Sequence, residues 1–267
     1  MPEVSRTVVR KPIIGISFKM YLSPDKSQRY FEAFRKILGF LETIDVSAFV
    51  VPDFLEIGAA ISAISYNGIC GVGAQNCAVE DSGAFTGEVS PKSLHELGVS
   101  YVLLGHAERR TLYHETNEIV HAKVQAAIRN QLIPVICVGE SRRTSDPQDA
   151  VAFIQLQINS ALVNVDANTE VIIAYEPIWA IGQSKPAPNS YINHVCEGIR
   201  AQLNRQGRQS TARILYGGSA HPGLFRQLDP HCIDGLLTAR FGHVVDNVVE
   251  MAQDISKTIY GIQDDEE

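Results

Sequence analysis

The sequence predicts an α/β fold in which eight strand–helix units close into a (β/α)8 barrel. Short β-rich runs alternate with longer stretches of helical period, eight such units fit in about 250 residues, and polar residues recur just after the β-rich runs. That count and length match a closed barrel better than an open doubly wound sheet of eight strands. No Gly/Ser/Pro-rich linker divides the chain. The expectation is therefore one barrel domain over residues 1–267, with 1–11 and 262–267 as frayed tails.

The elements follow in order. Ile13–Phe18 is the first strand candidate and runs into Ser17-Phe18-Lys19. Tyr30, Phe34, Ile37, Leu38 and Leu41 then form an apolar stripe at helical spacing. Ala48–Val51 is the second strand, and Ile69–Ala74 the third, leading into Gln75-Asn76. Ser90-Pro91 reads as an N-cap with proline at the first helical position. The fourth strand, Tyr101–Leu104, runs into Gly105-His106-Ala107-Glu108-Arg109-Arg110, and the fifth, Ile133–Val138, into Gly139-Glu140. Val151, Ile154, Ile158 and Leu162 make a second helical stripe. The sixth strand, Val171–Tyr175, ends on Glu176-Pro177 and opens into a small-residue segment that holds the only tryptophan, Trp179. Arg213–Tyr216 leads into Gly217-Gly218-Ser219, and Ile233–Leu237 into Thr238-Ala239-Arg240. Val245, Val248, Ala252, Ile255 and Ile259 give the last stripe. The units share no sequence signature, so they are supersecondary units and not a solenoid repeat.

Bulk properties narrow the function classes. Hydrophobic content of 45% and charged content of 20% are ordinary for a globular protein. A net charge of −7 argues against a general nucleic-acid or anionic-membrane binder. The five cysteines are odd in number and dispersed, with no Cys-x-x-Cys pair, which fits reduced thiols in a cytoplasmic protein better than zinc or a disulfide framework. The polar N-terminus lacks the apolar stretch of a secretory signal, and no run reaches the ~18 apolar residues of a membrane span.

In a barrel the working groups lie at the C-terminal rim. Singly, each rim residue has a structural explanation: a hydrogen-bonded histidine, a solvated lysine, a Gly-Gly-Ser turn. Together they put one cation, one imidazole and one carboxylate around a single mouth, with glycine-rich backbone suited to a phosphate. That set can move a proton on a carbon beside a carbonyl: Glu176 as the base, His106 hydrogen-bonding the carbonyl oxygen, Lys19 stabilising the developing charge. No serine or cysteine nucleophile is visibly paired with a base, and no metal-ligand spacing is present, so neither metal nor cofactor is expected.

Over about residues 13–260 the chain resembles the triosephosphate isomerase family. The resemblance rests on Phe18-Lys19-Met20, Gly73-Ala-Gln-Asn76, Gly83-Ala-Phe-Thr-Gly-Glu-Val-Ser90, Gly105-His-Ala-Glu-Arg-Arg110, Ala174-Tyr-Glu-Pro-Ile-Trp-Ala-Ile-Gly182 and Tyr216-Gly-Gly-Ser219. It implies the TIM-barrel fold and an aldose–ketose isomerase of glycolysis and gluconeogenesis. Glu176 is then the base, His106 the neutral electrophile, Lys19 the electrostatic group and Glu108 the acid beside the histidine motif. It implies a mobile lid over residues 177–187 that Tyr216 and Ser219 meet when closed, and backbone donors to phosphate at Gly182, Gly218 and Ser219. It further implies an Arg109–Glu115 ion pair. The family's homodimer would use the loop from Asn76 to Thr86, with Thr86 entering the partner's site.

Four positions depart from the family pattern. Ser17 stands where asparagine is usual, and its hydroxyl reaches less far. Ala107 replaces a serine beside the base's resting position. The lid ends Gln183-Ser-Lys-Pro-Ala187 in place of Thr-Gly-Lys-Thr-Ala, and Pro186 and Pro188 should stiffen that hinge. Ala239-Arg240 occupies the usual Gly-Gly after strand eight, where the guanidinium either turns to solvent or joins the phosphate site. This last change resembles the offshoot that isomerises tetrulose phosphates such as L-erythrulose 1-phosphate. The expected functions are isomerisation of dihydroxyacetone phosphate and D-glyceraldehyde 3-phosphate, the same chemistry on a four-carbon phosphate, or a weakly active paralogue that binds phosphosugars.

Overall fold

The computed structural model describes residues 10–66, 68–183 and 186–262. Its eight strands are β1 (Ile13–Ser17), β2 (Ser47–Val51), β3 (Cys70–Ala74), β4 (Tyr101–Leu104), β5 (Ile133–Val138), β6 (Val171–Tyr175), β7 (Ala212–Tyr216) and β8 (Gly235–Thr238). All pair in parallel in chain order, and β8 closes on β1 with Ile13 opposite Gly235. The open-sheet alternative is thereby set aside. Around the barrel run α1 (Pro24–Arg35), α2 (Leu38–Thr43), α3 (Ile57–Ile64), α4 (Pro91–Leu97), α5 (Ala107–Leu112), α6 (Asn117–Arg129), α7 (Pro147–Ala161), α8 (Asn189–Arg205) and α9 (Val245–Tyr260).

Strand alternation divides the core in two. Ile13, Phe49, Val51, Leu103, Val135, Cys137, Ile172, Ala174, Leu215 and Leu237 fill the barrel interior. Their neighbours along each strand, such as Ile14, Val50, Val102, Ile136, Ile173 and Ile214, pack outward against the helices. Because both faces are buried, the strands read as continuous apolar runs.

Several helix boundaries follow from capping. Ser90 Oγ accepts the Ser93 N–H with Pro91 in the first turn, as the sequence predicts, while Thr116 and Asp146 cap α6 and α7 in the same way. The first apolar stripe is not one helix. The N–H groups of Lys36 and Ile37 donate to Ala33 and Phe34 three residues back, and this tightened turn separates α1 from α2. Phe34, Leu38 and Leu41 still share the buried face. Arg10 and Lys11, expected within a frayed tail, are instead held by ion pairs to Asp234 and Asp45. The acidic run 263–267 and residues 1–9 lie outside the described residues.

Candidate active site

Parallel strands bring every residue that follows a strand to the same rim, and the rim side chains converge on one cleft. Ser17, Lys19, His106, Glu176, Gly182, Ser219, Ala239 and Arg240 all line it.

Lys19 sits in the turn after β1 with φ +47, and its backbone is fixed by a hydrogen bond from Gln75 Nε2 to its carbonyl at 2.7 Å. Its ammonium contacts Glu108 Oε1 at 2.6 Å. Ser17 Oγ accepts the Lys19 N–H at 3.4 Å, so the hydroxyl that replaces the usual amide supports the lysine's turn.

His106 caps α5, where its Nδ1 accepts the Glu108 N–H at 3.2 Å. A nitrogen that accepts carries no proton, so the neutral ring's hydrogen is on Nε2. Nε2 lies 3.4 Å from Glu176 Oε2. Ala107, immediately after, is buried and offers no hydroxyl.

Glu176 follows β6 and is 4% exposed. Its N–H donates to Val138, while its carboxylate has a single weak donor, the Cys137 thiol 3.6 Å from Oε1. Burial, then the adjacent Glu176, push that thiol well up, so it stays protonated. Oε2 has no hydrogen-bond partner among the described residues, which leaves it available to a substrate proton.

The described residues after Glu176 are fastened at several points. Trp179 Nε1 donates to Glu140 Oε1 at 2.7 Å, and Arg143 lies 5.7 Å from the indole ring. Tyr175 and Tyr191 also donate to that buried carboxylate. Farther on, Ser219 Oγ donates to Ala180 O at 2.8 Å, and Tyr216 Oη accepts the Ala187 N–H at 3.3 Å. Ser184 and Lys185, within the altered hinge, lie outside the described residues. The amides of Gly182 and Gly218 have no backbone acceptor among the described residues, which is how an anion-binding rim presents itself.

The two loop residues part company. Asn76 is buried at the root of the loop after β3, its Oδ1 accepting from Lys123 at 2.8 Å, whereas Thr86 is exposed near the tip. Arg109 and Lys123 both bind the buried Glu115, at 2.5 and 2.6 Å, so the expected ion pair is part of a three-residue cluster with a half-buried Arg109 and a buried Lys123. Cys137, Glu140 and Tyr191 had no role in the sequence reading. Cys137 and Glu140 left a signal, at the end of the fifth apolar run and just after it, whereas Tyr191 left none.

Residues 12–255 match the family model described as triosephosphate isomerase. The chain is 40% identical over 240 residues to an L-erythrulose-1-phosphate isomerase of Pectobacterium atrosepticum, covering 88% of this chain and 92% of that protein. It is 41% identical over 219 residues to a triosephosphate isomerase of Streptococcus suis, covering 80% of this chain and 86% of the relative. A triosephosphate isomerase of Streptococcus pyogenes is 38% identical over 218 residues, covering 80% and 85%.

Proposed function

This chain belongs to the triosephosphate isomerase family, and on that footing we propose that it interconverts dihydroxyacetone phosphate and D-glyceraldehyde 3-phosphate. The observation that carries the reading is the convergence of a donor-poor carboxylate, an imidazole with its proton on Nε2 and an ammonium on one cleft. Glu176 removes a proton from the carbon beside the carbonyl, and the electron pair moves onto the carbonyl oxygen. The His106 Nε2–H and the Lys19 ammonium meet the charge that develops there. His106 carries the hydroxyl proton between the two enediolate oxygens, and Glu176 returns its proton to the neighbouring carbon. These are the roles known for the family. Glu108 steadies Lys19 and offers its N–H to His106. The phosphate belongs at the amides of Gly182 and Gly218, which have no backbone acceptor among the described residues, with Ala239 and Arg240 beside it, while the Ser219 N–H already donates to the Gly217 carbonyl at 3.1 Å. The reading calls for no metal or organic cofactor, and a chelator should leave turnover unchanged.

One observation favours a second substrate. Ser17 is shorter than the asparagine usual there, and Arg240 brings a cation to the cleft where the family has glycine. Both changes alter the shape and charge offered to the substrate, and the relative from Pectobacterium atrosepticum carries the name of a tetrulose phosphate isomerase. The five unpaired, buried thiols fit a cytoplasmic setting. The apolar residues around the loop after β3 fit a homodimer.

Steady-state kinetics with triose and tetrulose phosphates side by side test the reading. The wild type should turn over at least one of them, and Glu176→Gln should lower kcat by about 10³-fold or more with KM little changed. Near-wild-type turnover by that variant would falsify the base assignment. A kcat/KM ratio favouring the four-carbon substrate would select the second reading.

A further inference from the structure

The turn after β8 is the chain's sharpest departure from its family, and the structure ties it to the opposite lip of the mouth. Arg240 Nη2 donates to the carbonyl of Gly182 at 3.2 Å. The two are 58 residues apart in the chain. The turn that carries the guanidinium is anchored to the barrel. His243 Nε2 meets Ser17 O at 3.0 Å, Asn247 Nδ2 donates to Phe241 O at 3.0 Å, and the Phe241 ring packs against His221. Gly242 lies so close beneath that a methyl group there would sit 2.5 Å from Thr238 Cγ2. Gly182 follows Glu176 in the segment that, among the described residues, is also fastened at its start by Trp179 on the Glu140 carboxylate and farther on by the neutral hydroxyls of Ser219 and Tyr216.

We infer that Arg240 is a positioning residue, a charged latch that holds the lid segment down from a rigid turn before any substrate binds. The inference rests on the reading of 177–187 as a lid that opens. A guanidinium–carbonyl hydrogen bond in a solvent-exposed setting contributes modestly, so its removal should change the lid equilibrium by about two- to five-fold. A phosphate at the Gly182 and Gly218 amides competes for the same guanidinium, so a bound anion would loosen this contact as it makes its own.

Trp179 is the only tryptophan, and its contacts with Glu140 and Arg143 make its emission a reporter of lid position. Temperature-jump fluorescence on the full, ligand-free chain in phosphate-free buffer compares the wild type with Arg240→Gln and Arg240→Lys. The latch requires Arg240→Gln to open two- to five-fold more readily, with KM raised and kcat held or raised, and Arg240→Lys to fall between. A purely structural role would lower the melting temperature without that split between KM and kcat, and would overturn the proposal. So would unchanged ligand-free relaxation, whether inorganic phosphate binds the variant as tightly as the wild type (an idle guanidinium) or more than ten-fold more weakly (an anion ligand only). A wild type whose emission never relaxes, with or without inorganic phosphate, removes the lid and the latch together. The isomerase assignment would still be judged separately by Glu176→Gln.

Discussion

Around Glu176 the backbone, as much as any side chain, decides where the carboxylate can lie. A methyl group on Gly217 would come within 2.8 Å of Glu176 Cγ and 3.1 Å of Oε1. Contacts that short displace the side chain, and misplacing a reacting group by about 1 Å costs on the order of 10²-fold in rate. Gly217→Ala should therefore lower kcat by about 10- to 100-fold, leave KM within a few-fold, and melt close to the wild type. Its N–H donates to Tyr175 O in a geometry that alanine can adopt, so the backbone itself is not strained by the change. A variant with full kcat would show that the carboxylate works from some other position. Lys19, His106 and Glu176 were legible in the sequence because each follows an apolar run at a strand end, and in a barrel those ends meet at one mouth. The partners of Glu176 and Trp179 were not. Cys137 and Glu140 each reach a group 39 residues away, and Tyr191 reaches Glu140 across 51. Only closure of the barrel makes such contacts, and no local spacing encodes them.

Elements were read better than their ends. β4, β5 and β6 begin and stop where the apolar runs do, whereas β8 starts at Gly235, two residues later than the run that begins at Ile233. Ile233 N–H bonds back to Asp229 and so belongs to the preceding turn. The stripe across 30–41 was read as one helix because the same face stays buried through the break, and periodicity reports the face and not the hydrogen bonds. The join between α5, α6 and the loop after β3 was legible only as a pair. Glu115 takes Arg109 from α5 and Lys123 from α6, and Lys123 also holds Asn76. Burial would raise the Glu115 carboxyl, but the hydrogen bonds from Lys123 and Arg109 outweigh it, and the group titrates below its usual range near ~4.3. A depressed folded value means that the unfolded chain takes up the proton first as pH falls. The stabilisation is therefore complete above about pH 5 and is lost as pH drops through the folded value. Glu115→Gln should destabilise the protein by about 3 kcal/mol near pH 7, because it leaves two buried or half-buried cations uncompensated. It should also shrink that difference progressively below pH 4.5. Urea melts of both proteins from pH 3 to 7 read this directly, and a constant difference across the range would contradict the assignment.

At the scale of the molecule, the mouth is flanked by apolar surface that a lone barrel leaves in water. Met20 is 90% exposed and Leu55 88%, with Leu112 at 65% and Tyr113 at 64%. Met20, Leu112 and Tyr113, with Phe54, border a second depression that shares Ser17, Lys19 and His106 with the active-site cleft. Nearby, the loop after β3 is rooted by Asn76–Lys123, by Arg129 and Asn130 on Asp81, and by Ser90 Oγ on the Asp81 carbonyl, while its tip with Phe85 and Thr86 stays exposed. A fixed loop with an exposed tip loses little conformational entropy on insertion into a partner. The proposed homodimer would bury this tip beside the partner's lysine turn, so assembly and activity should fall together. Phe85→Glu places a charge on the inserting tip without touching the barrel core, and a central interface residue of this kind is worth about 2 kcal/mol or more. The dimer's Kd should rise by about 30-fold or more, visible in sedimentation equilibrium, and kcat should drop upon dilution at protein concentrations where the wild type holds its rate. The wild type's melting temperature should rise with protein concentration, and the variant should lose that dependence once it has dissociated, because a monomer's unfolding has no concentration term. A wild type that sediments as a monomer at micromolar concentration with full activity would refute the assembly and assign the exposed apolar rim to something other than a second copy.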